Sequence, residues 1–274
     1  MPALPRLRLN QRIHGVVWLR RLVWLIATPL CLIGLFRHQW WPALVLPMGL
    51  VLVAALRAWE QSLRRQFVRD AEFPPFLAAK ILEAHPGLQD RDAELVLRGL
   101  RQFFMAYLRS GRQFVGMPSK LVDSAWHAYI LHTQGYALWC DRAFGRMLHH
   151  TPAEAMGSSA RHNGGLRRTW YWACKEESIH PRKPTRLPLL FALDAKFGIA
   201  GGYHYIPDCK AVGAQSDTNS YCGTDFGGST DSSGSDSGSD GWSFSSSDDS
   251  SSSSDGGGSD GGGCGGGCGG GGGD

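Results

Sequence analysis

The chain has 274 residues and a net charge of +4, but all 28 basic residues precede Asp217 and ten of the 24 acidic ones lie from Asp217 onward, so the body is formally +14 and the tail −10. A basic body whose arginines flank apolar segments points to anionic lipid head groups, and binding to nucleic acid is not expected. The seven cysteines are scattered along the chain and form no compact even-numbered framework, which argues against a disulfide-built fold.

Residues 1–15 are basic, with Arg6, Arg8 and Arg12. Residues 22–36 carry no charge; extended back to Val16, the run takes in Arg20 and Arg21, which can snorkel to head groups from a helix end. A second apolar run covers 40–56, separated from the first by Arg37-His38-Gln39. Each run approaches the ~20 residues that a bilayer requires of a helix. The pattern predicts a transmembrane hairpin over 16–57, with backbone polar groups satisfied inside each helix. Arg57, Arg64, Arg65 and Arg69 follow the hairpin, whereas Arg37 stands alone in its loop. That asymmetry puts both termini in the cytoplasm, at the plasma (inner) membrane. Trp18, Trp40, Trp41 and Trp59 fall near the expected interfaces. A cleaved signal peptide, or a hairpin buried in a soluble protein, would share the basic start and apolar core. No small-x-small site follows Phe36, however, and a second apolar run does.

From residue 70 the periodicity is helical and no run alternates as a strand would, so 70–205 is expected to be an all-α domain. Pro74-Pro75 opens a helix that Pro86-Gly87 closes. Asp90 caps the next, whose stripe is Leu97, Leu100, Phe104, Tyr107 and Leu108, and Gly111 ends it. Ser119 caps a third and Thr133 a fourth, the latter running through Tyr136, Cys140, Phe144 and Leu148. Thr151-Pro152-Ala153-Glu154 forms a capping box. Further helices cover Leu166 to Cys174 and the stretch from Pro188 to Gly198. Residues 211–274, almost wholly Gly, Ser and Asp, cannot build a core and are expected to be disordered.

The third and fourth helices hold the residues best suited to chemistry. If Thr133 marks the turn of an antiparallel pair, His127 and Cys140 lie level, with Asp123 one turn from His127 on the same face. Asp123, His127 and Cys140 then form a candidate metal site, with zinc the ion their donor types suit, or an activated thiol. The plainer alternative is an imidazole bonded to Asp123 and a cysteine packed as a small core residue. His149 and His150 lie ~14 Å from Cys140 along an unbroken helix, out of reach unless Gly145 breaks it.

The pattern Asp123, Trp126, His127, Leu131, Tyr136, Cys140 and Gly145 resembles the glycine-rich domain-containing protein-like family. Leu187-Pro188-Leu189-Leu190-Phe191 and Asp194 extend the resemblance, to roughly 75–205. It implies a helical domain and brings no settled activity. With no complete catalytic set, the expected role is an interaction or scaffold module held at the cytoplasmic face, with membrane lipid and an unidentified protein as partners. The alternative is a metal- or thiol-dependent enzyme or sensor using Asp123, His127 and Cys140.

Overall fold

The computed structural model describes residues 3–38, 40, 42–150, 159–208 and 220–227. The Thr151 capping box and most of 211–274 lie outside the described residues. The chain is helical: α1 (Ala3–Phe36), α2 (Pro42–Asp70), α3 (Pro75–Ala84), α4 (Asp90–Arg109), α5 (Lys120–Leu131), α6 (Thr133–Phe144), α7 (Ser159–Glu176) and α8 (Leu189–Lys196). Two short strands, β1 (His204–Ile206) and β2 (Ser220–Cys222), and one turn of helix, α9 (Gly223–Gly227), complete it.

Helices α1 and α2 pack side by side. The basic N-terminal segment and the first apolar run belong to one continuous helix. Gln11–Gly34 and Leu44–Asp70 are long and apolar enough to cross a membrane, with mean hydropathies of 1.8 and 1.4. Only 11% and 17% of these windows is buried. That low burial separates the hairpin from an ordinary soluble core. Leu25, Leu32, Ile33, Phe36, Met48 and Val51 all present their side chains outward. Such a contiguous apolar surface is foreign to water-facing helices.

The cytoplasm-predicted end of α2 is built differently. Glu60, Leu63, Arg64 and Val68 are buried, so α2 runs without interruption from the apolar hairpin into the helical domain. Arg20 of α1 donates to Glu60 at 2.6 Å, and Arg64 donates to the same carboxylate at 2.9 Å. Arg20 thus pairs across the hairpin.

The domain wraps around α4, whose residues 102–108 are all buried. Its N-terminus starts at Asp90, one residue after the true cap, Gln89, whose backbone N–H donates to the Asp92 carboxylate. Gly99 permits close crossing: a Cβ there would stand 2.6 Å from Leu193 and 3.0 Å from Val122. Ser119 caps α5, accepting from the Val122 N–H. Asp194, buried on α8, reinforces that cap by accepting from the Ser119 hydroxyl (2.6 Å), the Lys120 N–H (2.9 Å) and the Leu121 N–H (3.2 Å). An anion at a helix N-terminus meets both unpaired N–H groups and the positive end of the dipole.

A small strand ladder departs from the purely helical reading. β1 and β2 pair in parallel, Tyr205 opposite Tyr221. Residues 220–227 sit within the stretch expected to lack structure, but Phe226 lays its ring within 6.0 Å of Trp170 and 6.1 Å of Tyr205. Cys222 is disulfide-bonded.

Candidate metal centre

Helix α5 places Asp123 and His127 one turn apart, and the side chains meet: His127 Nδ1 lies 3.3 Å from the Asp123 carboxylate. The third partner comes from the far side of α6. Gly145 adopts φ +73°, the left-handed conformation that ends α6, and the chain folds back. His150 then reaches the other Asp123 oxygen, with Nε2 at 3.0 Å. The two imidazoles face one another, ring centroids 4.2 Å apart. One ligand atom from each of Asp123, His127 and His150 lies within 4.8 Å of the others. Two donors each ~2.1 Å from a tetrahedral ion stand about 3.4 Å apart; the carboxylate–imidazole contacts, 3.3 and 3.0 Å on different oxygens, lie near that separation and are equally hydrogen-bond distances.

Cys140, the third residue of the sequence-derived cluster, falls outside this group. It is fully buried on the core side of α6, whereas His127 faces solvent. Desolvation raises its thiol pKa against the opposing effects of bonds to the Leu148 backbone and the Tyr136 hydroxyl. Such a thiol stays protonated and is a poor ligand or nucleophile. Its place is structural. Trp126 Nε1 donates to the Tyr136 hydroxyl at 3.0 Å, and that hydroxyl donates to the Leu148 carbonyl at 2.6 Å. Trp126 also lies against His150, centroids 4.7 Å apart. Trp126, Tyr136 and Cys140 therefore hold the returning segment two residues before His150. Burial raises the Tyr136 pKa well above the usual phenol range, so its hydroxyl remains a donor. Leu131 takes no part and is exposed.

The turn at Gly145 is itself held from α2. Arg64 donates to the carbonyls of Asp141 and Arg142 at 2.9 and 2.8 Å, satisfying the C-terminus of α6. Beside His150 opens a cleft of about 450 Å³, lined by Trp126, Phe114 and Met117 together with Arg112 and Arg146.

A helical domain on an apolar hairpin, with a carboxylate and two imidazoles converging at a cleft, defines an all-α protein with a candidate metal site. The chain belongs to the UCP032817-like family, whose model matches residues 63–226. That span begins inside α2 and ends in α9. The match carries no glycine-rich domain description. No curated protein and no solved structure matches the chain.

In the sequence His150 is set aside because an unbroken helix would hold it ~14 Å from Cys140; the helix in fact stops at Gly145. The signal was Gly145: a glycine past the last periodic position of a helix marks a left-handed stop, and the stop brings the next residues back.

Proposed function

We propose that the chain is a membrane-anchored module that binds a divalent transition-metal ion, zinc by donor type, through Asp123, His127 and His150. The carrying observation is the convergence of three ligand atoms from α5 and the segment after Gly145 within 4.8 Å. Neutral imidazole and carboxylate suit zinc, and three protein ligands leave a coordination position free for a bound molecule. His150 is sheltered at 18% side-chain exposure while His127 is open at 52%, so an ion there would face solvent and cleft together. The test is metal analysis of the full-length chain in detergent, loaded with zinc and desalted. About one equivalent should remain, falling below about a tenth in His150→Ala and staying in Cys140→Ala. A wild-type chain that retains none overturns the reading.

The anchor follows from the exposed apolar faces of α1 and α2, for which lipid is the fitting solvent. The arginine asymmetry favours the cytoplasmic face of the plasma membrane for both flanks. The disulfide at Cys222 pulls the other way, since such bonds persist in oxidising compartments. A fluorescent protein fused after residue 227 should fold and fluoresce; an alkaline phosphatase fusion active at that point reverses the orientation.

A second reading, an interaction module at the membrane face, draws on the lack of a complete catalytic set in the sequence and on Leu131 and Leu138. These two side chains stand exposed on neighbouring helices α5 and α6. A chain that folds but binds no metal leaves the Asp123 trio as a hydrogen-bonded brace and this reading in place.

A further inference from the structure

The cleft next to the candidate metal site is lined by formal charge of one sign. Arg112 and Arg146 supply its charge, and among the described residues no aspartate or glutamate lines it. Arg146 is partly committed, donating Nε to the Tyr107 hydroxyl at 3.0 Å and Nη2 to the Arg112 carbonyl. The Arg112 guanidinium has no hydrogen bond or ion pair among the described residues, although it is half-buried. Burial is the largest influence lowering its pKa, and Arg64 and Arg146 add to it, with Glu60 the opposing carboxylate. An arginine does not give up its proton in a protein, so this is a partly desolvated cation with no carboxylate bonded to it among the described residues. Glu60 is already bonded to Arg20 and Arg64 and cannot supply one.

The backbone adds an independent observation. Arg112 sits at φ +66°, directly after Gly111 at φ +74°. A non-glycine residue in the left-handed region carries strain that the surroundings must hold. Here the Arg112 N–H is bonded to the Tyr107 carbonyl and its own carbonyl accepts from Arg146. Asparagine or glycine would sit there at less cost, yet the position is held by an arginine that lines the cleft.

We propose that the cleft binds a small organic oxyanion, a phosphate or carboxylate head on an apolar body, with the head held by Arg112 and Arg146 and the body against Phe114, Met117 and Trp126. The planar forks of two arginines match either oxyacid, and the cleft's volume of about 450 Å³ suits a ligand of one ring or a short chain. The arginines act without a metal ion, so this site stands or falls separately from the metal reading. An ion on His150 would add one more positive group at the same cleft.

The experiment is calorimetric titration of the full-length chain in detergent, treated with a chelator to remove metal. Phenyl phosphate, phenylacetate and inorganic phosphate are the probes. One of the two ring-bearing anions should bind at least about tenfold more tightly than inorganic phosphate, because only they use the apolar wall. Arg112→Asn should weaken that binding about tenfold or more while the melting temperature holds or rises, since asparagine tolerates the left-handed backbone. Arg146→Gln gives a second reading of the same loss. Lysophosphatidic acid, titrated in the same micelles, separates the sources: if it displaces the aromatic anion the head group is lipid-borne, and if it does not the ligand is soluble. Either result supports the oxyanion site. Failure of both ring-bearing anions to bind below millimolar concentration, or binding untouched in a folded Arg112→Asn chain, overturns it.

Discussion

Gly145→Ala tests the turn on which the site depends. Two costs are expected. An alanine at φ +73° pays the left-handed penalty, about 1 kcal/mol. Its Cβ would also stand 2.9 Å from Arg64 Nη2. The head of a long side chain usually yields, but this one is tied to Glu60 and to the Asp141 and Arg142 carbonyls and is only 5% exposed. Losing one charge-assisted bond to a carbonyl costs about 2 kcal/mol. The sum, about 3 kcal/mol, corresponds to a fall of roughly 6–12 °C in melting temperature for a domain of this size. Thermal unfolding of the full chain in detergent, followed by near-ultraviolet circular dichroism, reads it. In an Arg64→Met background the head is gone, and the alanine should cost only about 1 kcal/mol, leaving a coupling of about 2 kcal/mol. A Gly145→Ala shift below about 2 °C, or the same penalty in both backgrounds, would refute the claim that Arg64 props the turn.

Asp194→Ala should destabilise by about 3 kcal/mol, since it strips the Ser119 hydroxyl and the Lys120, Leu121 and Tyr203 N–H groups of a buried acceptor; Asp194→Asn, which keeps an oxygen, should cost less, as denaturant midpoints will show. Cys140 and Cys174 should resist iodoacetamide at about pH 8.5 in the native chain and react only when it is unfolded, because burial raises both thiol pKa values, that of Cys174 to about 12. Native thiols then keep protons that the unfolded chain sheds above the ordinary 9.0, so stability is complete below that value and declines as pH rises past it; a denaturation midpoint that is flat or rising with pH there contradicts the burial. A chain shortened to 70–205 should fail to give a cooperative melt, whereas 60–227 in a mild detergent should give one, because Arg64, Val68 and Phe226 are part of the core.

The helices were legible because their stops are chemical. Pro75, Ser119, Pro188 and Gly111 each act at the position where the structure bends, through a fixed φ, an oxygen acceptor or a left-handed turn. Two of the three residues of the candidate metal site were legible as well, since Asp123 and His127 are neighbours on any helix. Cys140 misled because levelness along two helix axes says nothing about rotation around them. Rotation is set by packing, and Tyr129, Tyr136, Trp139 and Phe144 turn that face of α6 inward. The ladder of β1 and β2 was invisible because three-residue strands carry no period, and their partners are far apart in sequence.

The hairpin and the site are parts of one mechanical element. A flexible tether between hairpin and domain would leave the cleft free to tumble relative to the hairpin. Helix α2 forbids that: it continues from Pro42 to Asp70, and its last turns are core to the domain. The same Arg64 that α2 contributes pairs with Glu60, hence with Arg20 of α1, and also caps the helix end that turns His150 back to Asp123. The Glu60–Arg64 pair is thus one of the contacts that join the hairpin to the domain, beside the Phe67–Trp139 ring contact and the buried Val68. Because the Gly145 turn hangs from Arg64, the geometry at His150 follows the packing of two helices whose outer faces suit lipid. Arg64 thus ties α2 both to α1, through Glu60, and to the end of α6.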